Sequence, residues 1–507
     1  MVKRGGINFP LIIFVGLLSI FVGGLLGLGL WAPGGAFVLL LCLVFVIVFT
    51  PLSNSYRVGS QGIFWTGFVL TFATAFFDLI SPIQTSGLME IWLIFLAPLL
   101  LFRWVYFINT SALAKVLCIT FGLSFFLGLL SAFLNHVPAK AVLYQTAYNL
   151  KLPLMLALGL KVGWTSFGEK WVARSAILIA FCIAAWLVLE ISAPGLYRSI
   201  AINLKELSYT PNPLLKGLMR RLSGPFVHSS ELAYFSALFL LFFVVRDLGK
   251  IGSKALNWIL GSVFAVFLIL SGQQQETAAA FVAVAALYFL FKTRAAFSTG
   301  LLACMVASVL LVLMLFALGD DQLAKLGAEW GILPATHALS SARPVLFRDA
   351  FELANGSFPL GTGLGSFGGI GAKLFDRHVY ELLGYHRYWW YRQDLFLLDT
   401  YWPNFIAETG WIASLALFSA ISGLVLYSFN QAWRATDGLE KRTWSIAFGS
   451  QFVAVSISLT SPIYSDPNMV AFPFLFFGMA FTLSQQAKKR SGFQVDSAIP
   501  SIKRDAK

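Results

Sequence analysis

The sequence predicts an all-α polytopic integral membrane protein of about fourteen (12–14) transmembrane helices, with one large, partly helical loop outside the cytoplasm. Three observations predict it. Of 507 residues, 58% are hydrophobic and 12% charged, with a mean hydropathy of +0.78; a soluble domain carries about 25% charged residues. Apolar runs close to the roughly 20 residues that cross a bilayer recur along the chain. The lysines and arginines gather in alternate turns between those runs. Lipid satisfies no backbone group, so such runs must close their hydrogen bonds internally, as helices.

In chain order the spans centre near Val22, Leu41, Phe72, Phe95, Ser124, Met155, Ile183, Leu238, Phe267, Ala285, Leu310, Ala413, Val453 and Leu475. Lys3 and Arg4 precede the first. Its apolar stretch continues past signal-peptide length into the turn Trp31-Ala32-Pro33-Gly34-Gly35, so no cleaved leader is expected. Cys42, Cys118, Cys182 and Cys304 all fall inside spans and lack CxxC spacing, which makes them buried apolar side chains rather than disulfide or metal ligands. With the N-terminus cytoplasmic, the inner turns carry cations such as Arg57, Arg103, Lys161, Lys170, Arg246, Lys250, Lys292, Lys441 and Arg442. The short outer turns near Gly34, Pro82, Gln274 and Pro462 carry none, as the positive-inside rule requires. Residues 1–487 form one membrane domain, and 488–507 a basic, polar cytoplasmic tail that at most touches anionic lipid. The net charge of +13 is dispersed over many loops, which does not support nucleic-acid binding.

The polar interruptions lie on the outer side. The first contains Arg220-Arg221-Leu222-Ser223-Gly224-Pro225-Phe226-Val227-His228-Ser229-Ser230-Glu231. Paired guanidiniums at an interface suit an anionic headgroup, which they grip bidentately; snorkelling arginines would look the same. Ser229 or Ser230 can cap the following helix. His228 and Glu231, three apart, share one helix face, and a carboxylate in a first turn is also favoured for purely structural reasons. The turn Ser271-Gly272-Gln273-Gln274-Gln275-Glu276-Thr277 is polar enough to bind sugar hydroxyls or to cap helix ends.

The long loop, 319–399, holds seven lysines and arginines and three of the five histidines. Within it, Ser340 to Ala354 predicts a helix capped by Ser341, with Pro344 in the first turn and Arg343 and Arg348 on its surface. Pro359-Leu360-Gly361-Thr362-Gly363-Leu364-Gly365-Ser366-Phe367-Gly368-Gly369 has the wrong spacing for a dinucleotide loop and predicts a glycine-rich turn against the membrane. Tyr385-His386-Arg387-Tyr388-Trp389-Trp390-Tyr391-Arg392 suits sugar rings stacking on Tyr388, Trp389 and Trp390, and equally an interfacial aromatic belt. Asp399 stands where a helix cap belongs. Glu408, nine residues on, is roughly 13 Å further along the axis, too far to pair with it, and lies within the membrane where a carboxylate needs a partner.

Three of these pieces, in order, resemble the bacterial O-antigen ligase and Wzy-type oligosaccharide repeat-unit polymerase superfamily. Arg221-Leu222-Ser223-Gly224-Pro225-Phe226 resembles its Arg-x-x-Gly-x-Phe element. Arg343 with Gly361 to Phe367 is similar to its Arg and Gly-x-Gly-x-x-x-Phe stretch, and Asp399 to Gly410 resembles the start of its late span, ending in Glu-x-Gly. Gln275-Glu276-Thr277-Ala278 departs from the family's Ser-Arg-Thr-Ala-like turn by lacking the arginine, a gap that Arg343 or Arg348 could fill. Asp399 replaces the histidine of the ligases, which favours the polymerase branch.

The resemblance implies a GT-C-like fold of ten to fourteen spans in the bacterial inner membrane. It implies metal-independent glycosyl transfer, without cofactor, from an undecaprenyl-diphosphate-linked oligosaccharide to another lipid-linked repeat, building O-antigen or exopolysaccharide. Arg221, with Arg220, Arg343 or Arg348, would hold the diphosphate. Asp399 would be the base, with His228 or Glu276 behind it. Membrane lipids and a chain-length regulator protein are the expected partners. A ligase moving finished glycan to a lipid or protein acceptor is the alternative. A transporter or flippase would call for two related halves with broken helices, which the chain lacks.

Overall fold

The computed structural model describes residues 56–80, 87–110, 112–204, 211–215, 217–292, 342–459 and 461–497. The predicted spans near Val22, Leu41 and Leu310, together with Cys42, Cys304, His337, Ser341 and loop residues 319–341, lie outside them. The described residues are helical, without a named strand; the one isolated bridge joins Pro211 to Arg220.

Each remaining predicted span coincides with a helix. These are α1 (Tyr56–Ile80), α2 (Gly87–Thr110), α3 (Ala112–Leu134), the pair α4 (Ala139–Asn149) and α5 (Lys151–Val162), and α6 (Ser166–Ser192). After the short α7 (Pro194–Ile200) come α8 (Ser229–Leu248), α9 (Lys254–Leu270) and α10 (Gln274–Lys292). The polar segment supplies α11 (Ala342–Gly356), α12 (Ile370–Phe375), α13 (His378–Leu382) and α14 (Trp389–Arg392); α15 (Trp402–Arg434), α16 (Gly438–Ser458) and α17 (Pro467–Ser497) complete the chain. Five of them, α3, α6, α10, α15 and α17, are long and apolar enough to cross a membrane. The helix α17 runs through Ser497, so the first half of the basic tail prolongs it. Cys118 is half-buried, but Cys182 is exposed on the flank of α6, where the expectation was a buried side chain.

The core is a bundle in which α17 packs on α5, α8 on α9 and α10, and α15 on α3 and α16. Phenylalanines fill it: Phe72, Phe235, Phe239 and Phe264 pack ring to ring between α1, α8 and α9. At the end of the bundle away from the polar segment, three helices begin on side-chain caps. Thr165 accepts from Gly168 N at 3.1 Å, Ser253 from Leu256 N at 3.4 Å and Asp437 from Glu440 N at 2.9 Å, each satisfying an orphan first-turn donor.

That far end is also fastened by charge. Glu169, 2% exposed, bridges Arg246 at 3.3 Å and Arg442 at 3.1 Å, joining α6, α8 and α16. Removing one partner from a buried ion pair strands the other charge, which costs about 3–5 kcal/mol. Glu169→Gln is therefore expected to lower the thermal midpoint of the purified protein sharply; a midpoint within a degree or two of wild type would show the triad to be dispensable.

The near end is organised by a break in α15. Gly410 has φ 81° and ψ 174°, so the helix is interrupted there and the carbonyls of Ala407 and Glu408 lose their helical donors. The glycine-rich run supplies replacements: Thr362 N donates to Ala407 O at 2.8 Å and Gly363 N to Glu408 O at 2.9 Å. The run lies so close that a Cβ on Gly361 would sit 2.5 Å from the Glu408 carbonyl carbon. On its other side Leu364 N donates to Gly128 O of α3 at 3.2 Å, and Ser131 and Asn135 donate to Gly361 O. The expected glycine-rich turn is thus present, wedged between α3 and the broken α15. It also supplies the buried Glu408 carboxylate with a partner, Phe367 N at 3.3 Å.

Beyond this wedge the polar segment has its own small core: Val345 and Leu346 of α11 against Phe367, Tyr380, Tyr385, Tyr388, Trp390 and Leu397. The Tyr380 hydroxyl accepts from Gly368 N, and burial pushes its phenol far above the usual range, so it stays neutral.

Candidate functional site

Sequence and packing together force the loop 217–228 across the near end. Glu190, near the end of α6 and 2% exposed, accepts from Ser223 N at 3.1 Å and Gly224 N at 2.8 Å through one carboxylate oxygen. Its other oxygen lies 3.4 Å from Arg220 Nη2, which also donates to the Glu190 carbonyl at 3.0 Å. The Tyr197 hydroxyl donates to Gly224 O at 2.9 Å. Leu222 N and Asn212 Nδ2 then donate to carbonyls at the end of α9, groups a helix terminus leaves unpaired.

This fixes Arg221 over the turn that opens α10. A Cβ on Gly272 would stand 2.7 Å from Arg221 Cγ, so the arginine stem rests on that glycine. Glu276, 4% exposed in the first turn of α10, lies within electrostatic reach of both Arg343 and Arg221. Arg343, at the start of α11, grips Asp399 through Nε–Oδ2 at 2.6 Å and Nη2–Oδ1 at 3.3 Å. Glu276 is thus within electrostatic reach of both guanidiniums and Arg343 pairs with Asp399, which links groups from four separate stretches of sequence at one end of the bundle. The Arg221 Nε is buried without a hydrogen-bond partner, a donor held ready with nothing on it.

The remaining expected site residues are placed differently. Arg220 is committed to Glu190 and shapes the loop, rather than standing beside Arg221 as a second clamp. Arg348 is half-exposed and pairs with its neighbour Asp349 at 2.7 Å, a hydrogen bond that raises its already high pKa further. Of the two arginines expected to fill the gap in the Gln275-Glu276-Thr277 turn, Arg343 is the one within electrostatic reach of Glu276. His228 occupies the cap position of α8 without a capping hydrogen bond, and Ser229, expected as a cap, lies in the helix and accepts from Gln273 Nε2 at 2.7 Å. Asp399 does not cap α15 either; Tyr401 stands at that position, because Asp399 is engaged by Arg343.

The aromatic expectation needs correction. Tyr388 and Trp390 are 3% and 0% exposed and stack on each other at 5.2 Å, so their faces are used up in the small core and cannot carry a sugar. Trp389, 42% exposed, is the member of the trio that faces outward.

Glu190 and Tyr197 were not singled out from the sequence. The signal was there for the first: an acid near the end of an otherwise apolar run needs a partner, and the loop amides are that partner. Among the described residues no group of His, Cys, Asp and Glu is arranged to hold a metal. Compared with models of known protein families and with curated proteins, the chain matches none.

Proposed function

We propose that this protein polymerises polyprenyl-diphosphate-linked oligosaccharide repeats at the outer face of a bacterial cytoplasmic membrane. The observation that carries the reading is the meeting of Arg221 and Arg343 with Asp399 and Glu276 at one bundle end. Arginine forks recognise phosphate oxygens bidentately, and their charge offsets the negative charge that grows on a diphosphate leaving group. A carboxylate beside them accepts the proton of the attacking hydroxyl. Asp399, partly exposed, is the proposed base, with Glu276 and His228 behind it.

The orientation follows from charge. Lys161, Lys170, Lys250, Lys254, Arg434 and Lys441 cluster at or beside the turns of the far end, which the positive-inside rule places in the cytoplasm. The site then faces outward, with about fourteen spans and a GT-C-like arrangement around it. Trp389 would offer the glycan its one open ring among the three.

The test is the size profile of lipid-linked and released glycan from cells with no copy, the intact gene, or the Arg221→Ala or Asp399→Ala variant. Accumulated single lipid-linked repeats with loss of polymer are expected in the null and the variants. Long polymer persisting on its carrier without reaching a final acceptor would make the protein a ligase. An unchanged profile would overturn the reading altogether.

A further inference from the structure

The arrangement of charge at the site leaves a difficulty. The Arg343 fork is already bonded to both oxygens of Asp399, so it is occupied where a diphosphate would need it. For Arg343 to hold a diphosphate, Asp399 must give way, and it is placed to do so. Asp399 sits on the turn between α14 and α15, its side chain is 26% exposed, and it forms an ion pair with Arg343, 35% exposed.

We propose that the Arg343–Asp399 ion pair is a latch operated by the donor substrate. The inference rests on the diphosphate reading of the site and adds to it a resting state and a trigger. With Arg343 bonded to both of its oxygens, the Asp399 carboxylate is engaged by that fork at rest. A diphosphate brings more charge and more acceptor oxygens than a carboxylate, and it takes over the Arg343 fork together with the unpartnered Arg221 Nε. Displaced Asp399 is then repelled towards the acceptor side with its lone pairs open. The acceptor hydroxyl oxygen bonds to the anomeric carbon as the bond from that carbon to the diphosphate oxygen breaks. The hydroxyl proton passes to Asp399, and the electron pair of the broken bond leaves on the polyprenyl diphosphate, whose added charge faces Arg221 and Arg343. The base is thus unmasked only when a donor is bound, which suppresses idle attack by water.

The latch makes a prediction of sign. If Asp399 merely held Arg343 in place for the diphosphate, Asp399→Asn would weaken anion binding. If Asp399 competes with the diphosphate, Asp399→Asn frees Arg343 in advance and tightens binding, because the competent state no longer has to be released. The experiment titrates the full chain in nanodiscs with inorganic pyrophosphate and, in a second arm, with a prenyl diphosphate embedded in the disc. The second arm reads delivery from the lipid phase. Asp399→Asn is expected to bind about fivefold to tenfold more tightly than wild type in both arms. The gain should vanish in the Arg343→Ala/Asp399→Asn double variant, which separates a direct competition from a general change at the site. Binding that is unchanged or weaker in Asp399→Asn overturns the latch. If polymer is nevertheless lost in Arg221→Ala cells, the polymerase reading survives that outcome; an unchanged glycan profile removes both.

Discussion

Under the proposed reading, Arg221→Ala is expected to suppress polymer formation while leaving the protein folded and in the membrane. The expected fall in turnover is about 10²- to 10³-fold, the usual effect of deleting one preorganised donor aimed at developing charge. Three features single this arginine out. Its backbone is fixed by the Glu190-bound amides of Ser223 and Gly224, its stem lies against Gly272, and its Nε is buried with no partner. Arg221→Lys should restore little, because an ammonium presents a point charge and cannot reproduce a fork. Arg348→Ala is the contrast. Half-exposed and paired with Asp349, it should cost at most a few-fold. The measurement is the rate of chain growth by purified variants supplied with lipid-linked repeats. Equal losses from Arg221→Ala and Arg348→Ala would remove the basis for placing the diphosphate at Arg221.

Gly410→Ala is expected to cut the amount of folded protein several-fold. A φ of 81° with ψ 174° lies in a region essentially restricted to glycine, where another residue costs about 1–3 kcal/mol. In addition, the new Cβ would stand 2.7 Å from Pro359 O, against backbone that cannot give way without lifting the glycine run off α15. Gly361→Ala strikes the same seam from the other side. Both variants should accumulate several-fold less than wild type in membranes, read by quantitative immunoblot. Normal amounts of either, with normal thermal stability, would mean that the wedge is looser than drawn.

The helical bundle was legible in the sequence because hydropathy over about 20 residues averages out local detail. The members of the site were legible one at a time: Arg221 beside Gly224-Pro225, Glu276 in its polar turn, Arg343 at a helix start, Asp399 before the late span. Their meeting was not, since it depends on how α10, α11 and the loop 217–228 pack. Residue type also could not separate Arg220 from Arg221. Only the position of Glu190, on a different helix, decides which is tied down. The aromatic run failed for a related reason. A Tyr-Trp cluster looks the same whether its rings face a sugar or one another, and here Tyr388 and Trp390 face one another.

The break at Gly410 has a consequence for how such a protein can diversify. Because the amides of Thr362 and Gly363 complete the hydrogen bonding of α15, the polar segment and the top of that helix are one piece of architecture. The segment is therefore not portable. Grafting residues 342–401 onto another bundle would leave the Thr362 and Gly363 amides without their carbonyl acceptors unless the recipient's own helix were broken at the matching point. Under the proposed reading, new glycan preferences would arise by changing exposed side chains such as Trp389, while the seam beneath them is inherited whole.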